Sequence, residues 1–221
     1  TYVRTATMLF LKAVSDVFGD DIAQEARVEF AVGNGSYIST GGKIASTGEN
    51  AQKLMARMTE LKEQAVPFMK TSYYLGDAME LFKEKGMKDK ERLFRYRRSS
   101  VVNIYEIDGY YDYYYGYMLP NAGYVKWFDV IAYDEGFMLL LPEKKNPTVV
   151  APFMEQKKLF HTLKCAEKWA EEIGLETVGH LNDRICSGSL NDLILVQEAE
   201  QERKIGEIAK EIVSREGVKF V

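Results

Sequence analysis

The hydrophobic period of this chain switches between helical and extended several times, and that alternation limits its possible folds more than any single motif. From Tyr2 to Phe18 the apolar residues Val3, Ala6, Leu9, Phe10, Ala13, Val14 and Val17 recur at three- and four-residue steps, which predicts an amphipathic helix stopping at Gly19. RVEFAVGNGSYIS then alternates Val28, Phe30 and Val32 before a Gly-Asn-Gly turn, the pattern of a hairpin. A second helix is predicted from Glu49 or Asn50 to Gln64, with Leu54, Met58 and Leu61 on one face and Pro67 beyond its end. A third is predicted over 76–85, ending on Gly86.

Strands follow. RYRRSSVVNIYEIDG and GYVKWFDVIAYDEGFMLLLP are rich in β-branched and aromatic residues, with turns at Asp108-Gly109 and Glu135-Gly136 and a stop at Pro142. The expected class is α+β: an antiparallel meander with packed helices over 1–142, then a helical extension over 143–221. In that extension EKKNPTVVAP reads as a linker, and helices are predicted over 154–173, 181–185 and 188–214. The last carries only a thin stripe, Ile205, Ile208 and Ile212, enough for one neighbour, so Glu198–Arg215 is a candidate dimer or interdomain surface. The closing GVKFV opens an apolar strand, and the expectation is a chain that continues.

Composition narrows the function classes. In 221 residues, 46% hydrophobic content supplies a core, and a net charge of −4 disfavours general DNA binding while leaving room for a local basic patch. No apolar run approaches the ~20 residues of a membrane span, and the first residues lack the zones of a signal peptide. The expectation is a cytoplasmic protein with no membrane partner and with Cys165 and Cys186 as thiols.

Candidate chemical motifs mostly fail on spacing. GNGSYISTGGK does not match a phosphate-binding loop, because Tyr37 stands where a glycine is needed and Ile44 follows Lys43 in place of a hydroxyl. His161 and Cys165 share a helix face, but His180 and Cys186, which would have to complete a zinc set, have no ligand spacing. No G-x-S-x-G turn exposes a serine. The basic cluster Arg95, Arg97 and Arg98 stands at the start of an expected strand, where it protects an edge or meets a phosphate or RNA backbone. Beside it lies DGYYDYYYGYMLPNAG, which gathers six of the fourteen tyrosines.

The helix RTATMLFLKAV, the turn FAVGNGSYI, the helix AMELFKEKG and DYYYGYMLPNAG, in this order, resemble the second additional (editing) domain of threonyl-tRNA and alanyl-tRNA synthetases. In that family a His-x-x-x-His pair and a Cys-x-x-x-His pair before a Pro-Asn-Thr-Gly-like turn form a metal and water site that clears mischarged tRNA. The matching positions here are Arg4 and Met8, then Tyr114 and Met118, none of which is a zinc ligand. The resemblance implies the fold without the metal chemistry, and it leaves the tyrosines and methionines to fill the former pocket.

With its helical tail the chain resembles the N-terminal half of bacterial uridine kinase-like proteins, in which such a domain precedes a P-loop kinase of the phosphoribulokinase and uridine kinase group. That resemblance implies a non-catalytic accessory region that binds a small ligand or RNA end, or regulates its own C-terminal kinase domain. ATP and magnesium are expected only for that kinase domain, and no cofactor for this region. The implied pocket lies around Arg4, Met8, Tyr114, Met118 and Asn121, with Arg97 beside it, and Arg4 would neutralise a phosphate or carboxylate there. Three readings compete with this one: Arg4 in a salt bridge with the tyrosines as packing, a metal-independent aminoacyl-tRNA hydrolase, and a homo-oligomer built on the terminal helices.

Overall fold

In α1 (Tyr2–Phe18), ten consecutive residues from Thr5 to Val14 are buried. An amphipathic helix on one surface would bury a stripe, so an unbroken run means that α1 is enclosed on several sides. In this computed structural model, which describes residues 1–215 and Gly217, α1 lies between two antiparallel sheets. Even Lys12 is enclosed at 5% exposure, with its ammonium donating to the Asp108 carbonyl at 2.6 Å and pairing with Asp16 at 2.8 Å. The closing GVKFV segment, apart from Gly217, lies outside the described residues.

After α1 come a short α2 (Asp20–Glu25) and the expected hairpin, β1 (Arg27–Val32) and β2 (Gly35–Ser39). The helix α3 (Gly48–Glu63) starts at Thr47, whose hydroxyl accepts from the Asn50 amide at 3.2 Å, and it buries Leu54, Met58 and Leu61 as its period requires. Next are β3 (Met69–Tyr74), α4 (Leu75–Glu84), α5 (Lys88–Phe94), β4 (Val101–Ile107) and β5 (Tyr110–Asp112). A loop with a short 3-10 turn at Ala122–Tyr124 leads to β6 (Asp129–Tyr133) and β7 (Gly136–Leu140). The extension carries α6 (Lys157–Glu172), α7 (Val178–Cys186) and α8 (Leu190–Ser214).

The α+β class holds, but the single meander does not: one sheet has the order β1-β2-β7-β6 and the other β3-β4-β5. The first forms because β7 returns to pair with β2, matching Ile38 with Phe137 and Tyr37 with Met138. Gly136 permits that approach, since a Cβ there would stand 2.3 Å from the Ile38 carbonyl oxygen. Every residue of β7 is buried, because Phe137 and Leu139 face α1 while Met138 and Leu140 face α6. In the second sheet Tyr105 and Ile107 face the α1 core, and Val102 and Ile104 face Phe82 and Phe94 of α4 and α5.

The strand expected to begin at Arg95 is corrected by α5. Arg95 caps that helix and Arg97 follows it, so the basic cluster is the end of a helix and guards no sheet edge. The helical extension is tied to the body by several contacts, among them the Arg27–Glu176 ion pair at 3.0 Å. Phe160 of α6 packs into the cluster of Val32, Tyr37 and Met138, and Asp183 of α7 pairs with Arg92 of α5 at 3.0 Å while accepting from the Tyr96 hydroxyl.

Candidate functional site

The first turns of α1 are stapled to the loop that follows the tyrosine strand. Tyr2 accepts from the Trp127 amide at 2.9 Å and donates to its carbonyl at 2.7 Å, and the Thr5 hydroxyl accepts from the Leu119 amide at 3.0 Å. Between them Arg4 Nη2 donates to the Tyr117 carbonyl at 3.2 Å, and its buried Nε has no partner. The guanidinium lies under Gly116, where a Cβ would press on it at 3.0 Å and where φ is +108°, so a side chain here would strain the backbone and crowd Arg4. The Tyr105 hydroxyl closes the loop from below, donating to the Gly116 carbonyl at 2.8 Å.

Met8 is fully buried in the α1 core, and Tyr114 and Met118 pack against that same core. Burial, and after it the Asp112 carboxylate, push the Tyr114 phenol well above its ordinary range. Asn121 spends its side chain on the turn, accepting from the Gly123 amide at 3.0 Å, while its backbone bridges to Pro67. Arg4, Met8, Tyr114, Met118 and Asn121 are thus gathered along α1 and one loop.

Arg97 is not among them. It lies over Tyr113, 4.9 Å from the ring centre, and donates to that hydroxyl on the opposite face of the second sheet, because Tyr113 and Tyr114 point to opposite faces. The salt bridge considered for Arg4 is also absent, since among the described residues its polar contact is a backbone carbonyl.

Where the loop meets solvent it carries aromatic rings and cations. Tyr115 and Tyr117, on either side of Gly116, are 83% and 74% exposed, and Tyr124 and Trp127 are exposed nearby in sequence. The Lys70 ammonium stands 5.1 Å from the centre of the Tyr117 ring. Two exposed rings, Tyr115 and Tyr117, thus lie in sequence about Gly116, with the Lys70 ammonium over one of them and the half-buried Arg4 guanidinium beneath the loop. Sequence reading missed Lys70, because β3 is almost wholly exposed and shows no alternation. Among the described residues no group of three or more histidine, cysteine or acidic side chains could hold a metal ion, and no helix is long and apolar enough to cross a membrane.

The His161–Cys165 pair is real as a neighbourhood, with Cys165 Sγ 3.5 Å from His161 Nε2. It belongs to a separate cleft between α6, the β1–β2 hairpin and the Thr40-Gly41-Gly42 turn. His180 does not join it: its Nδ1 lies 2.9 Å from the Thr177 hydroxyl at the start of α7. No family model matches this chain, and no curated protein matches it either.

Proposed function

We propose that this chain is a non-catalytic accessory region of a uridine kinase-like protein and that it holds the end of a single-stranded RNA on the Arg4–Tyr117 surface. The family part of this reading rests on the order of the sequence motifs. The binding part rests on one observation, the exposed Tyr115 and Tyr117 rings in a loop where Lys70 stands over the Tyr117 ring and Arg4 holds the Tyr117 carbonyl. Bases stack on exposed rings for about 1–3 kcal/mol each, and a guanidinium binds phosphate as a planar fork. A hydrolase finds less support. Tyr114 is held far from the range of a general base, and Asp112 is 4% exposed beside Lys90.

The test is fluorescence anisotropy with a short unpaired RNA at low salt. Binding that weakens roughly tenfold or more in the Tyr115→Ala/Tyr117→Ala double variant supports the reading. Equal binding by both proteins, or none by either, sinks it. An aminoacylated form of the same RNA, followed for ester loss, tests the hydrolase.

A second reading, an interaction module, is favoured by α8, whose 25 residues include no buried side chain and expose Ile194, Leu195, Ile205, Ile208 and Val213. An unpartnered stripe of this length suits a second copy or the kinase domain that the resemblance implies.

A further inference from the structure

On the face of the first sheet away from α1, a cleft of about 570 Å³ opens between α6 and the β1–β2 hairpin. Its inner wall is the fully buried Tyr37, whose hydroxyl has only a long contact, 3.4 Å, to Asp134 Oδ2. Its rim is set by two irregularities: the β1–β2 register slips between Val28 and Phe30, leaving Glu29 as the extra residue, and Gly41 and Gly42 turn with positive φ. Such a volume suits a small metabolite.

The charges lining it are mixed and incompletely matched. Four carboxylates, Glu29, Glu135, Glu167 and Glu171, share the cleft with the Lys164 and Lys168 ammonium groups and with His161. Lys164 is already engaged, 3.7 Å from Asp134 and 3.9 Å from Glu135 and 5.3 Å from the centre of the Tyr37 ring. Glu29 accepts from the Ser39 hydroxyl and lies beside the Glu167 carboxyl. Burial first, and the Glu29 carboxylate second, raise the Glu167 carboxyl to about 7, with Lys164 opposing and Glu171 adding to the rise. Lys168 has no acidic partner within ion-pair distance among the described residues. The cleft therefore carries a close pair of carboxyl groups and one ammonium group without an acidic partner within ion-pair distance among the described residues.

We propose that this cleft binds a small zwitterion of the amino-acid class, with its ammonium group between Glu29 and Glu167 and its carboxylate on Lys168. One free ammonium on the protein matches a single negative charge better than a phosphate dianion. A primary ammonium has donors to spend on both carboxyl groups. Binding must then displace the proton that the carboxyl pair shares. The exposed Cys165 thiol, beside His161 at the mouth of the cleft, reports occupancy through its rate of alkylation.

The experiment uses the whole chain and the ω-amino acids from glycine to 6-aminohexanoate, with the alkylamine and the carboxylic acid of each length as half-ligands. Affinities come from calorimetry in two buffers of different ionisation enthalpy, and the site from amide shifts in two-dimensional NMR. The expected result has three parts. At least one amino acid binds about tenfold tighter than either of its halves. It releases protons near pH 7 and shifts the Gly41, Gly42 and Lys168 amides. It also slows Cys165 alkylation. Glu167→Gln removes the proton release, Lys168→Ala weakens binding, and Glu29→Gln serves as the second carboxyl variant if Glu167→Gln unfolds. Absence of binding by the whole series, halves that bind as tightly as the zwitterion, or affinity unchanged in both carboxyl variants overturns the proposal.

Discussion

Lys90 Nζ lies 3.5 Å from Asp112 Oδ1, joining α5 to the tyrosine strand β5 inside the protein. Burial of the ammonium opposes its charge, but the Asp112 and Asp89 carboxylates overcome it and hold Lys90 well above the lysine range. Burial raises Asp112, and Lys90 and the Tyr114 hydroxyl restrain that rise. The two partners are unequal: Asp112 is shut in at 5% side-chain exposure, while Lys90 keeps 24% and a second carboxylate. Lys90→Met therefore leaves a carboxylate buried without its cation and is expected to cost about 3 kcal/mol at neutral pH, the low end for breaking an enclosed pair. Asp112→Asn costs less. Because an acid whose pKa is raised in the fold binds protons more readily folded than unfolded, the Lys90→Met loss shrinks as pH falls toward about 4, the ordinary aspartate range. Urea unfolding of both variants across pH checks the order and the sign; equal losses with no pH dependence would refute it.

Glu167 makes a pH prediction for the docking of α6. Its carboxyl is raised in the fold from an ordinary 4.5 to about 7, so the folded state holds a proton that the unfolded chain gives up. Stability should fall as pH rises through that window and level off above it. Glu167→Gln should flatten the profile. Melting temperatures of the two proteins at pH values on either side of the window decide it, and parallel profiles count against the Glu29–Glu167 contact.

Arg4 tests the proposed RNA surface electrostatically. Arg4→Ala should weaken RNA binding about equally for all sequences and lower the slope of log affinity against log salt by about one. Gly116→Ala should disturb the same surface by a different route, because its Cβ would press on the guanidinium in a backbone conformation that costs about 1–3 kcal/mol. A salt series with both variants separates charge from shape, and a slope unchanged by Arg4→Ala removes Arg4 from the contact.

Phe160 tests the anchoring of the helical extension. Its ring stands edge-on to Tyr37 at 5.0 Å and to Tyr133 at 4.9 Å between centres, at 8% exposure. Truncation to alanine removes an aromatic knob and should cost about 3–5 kcal/mol in that contact. The expected readout is faster hydrogen exchange and proteolysis across α6, with α1 still protected. Uniform loosening of the whole chain would show that α6 does not dock as a separate unit.

The stripe of α8 tests the interaction reading. Ile205→Asp with Ile208→Asp should change the mass in solution, or abolish binding to a kinase domain supplied in trans, while leaving the melting temperature within about 1 °C, since neither side chain is buried. An unchanged mass and unchanged binding rule out this face.

Local periodicity carried the elements that bury a stripe. The helix at Tyr2–Phe18, the hairpin around Asn34, the helix with Leu54, Met58 and Leu61, and the three helices of the extension were all legible, because each has enough apolar residues at one spacing. The elements that escaped have no such stripe. In β3 only Tyr73 is even partly buried, and α5 is a seven-residue helix whose one buried residue is Phe94. That Arg4, Met8, Tyr114, Met118 and Asn121 lie along α1 and one loop was legible from motif order, and Arg97 was misplaced because α5 went unseen.

By itself the sequence determined that helices and antiparallel strands would alternate and that Tyr2–Phe18 would be helical, since these follow from residue type and spacing alone. Tertiary structure alone decided that β7 pairs with β2, which puts α1 between two sheets and buries it all round. It decided that Tyr113 carries Arg97 to one face while Tyr114 goes to the other. It also brought Glu29, from the bulge in β1, against Glu167 on α6 far along the chain. Such meetings depend on strand pairing and helix docking between distant segments, and their energy lies in contacts that no local window of sequence contains.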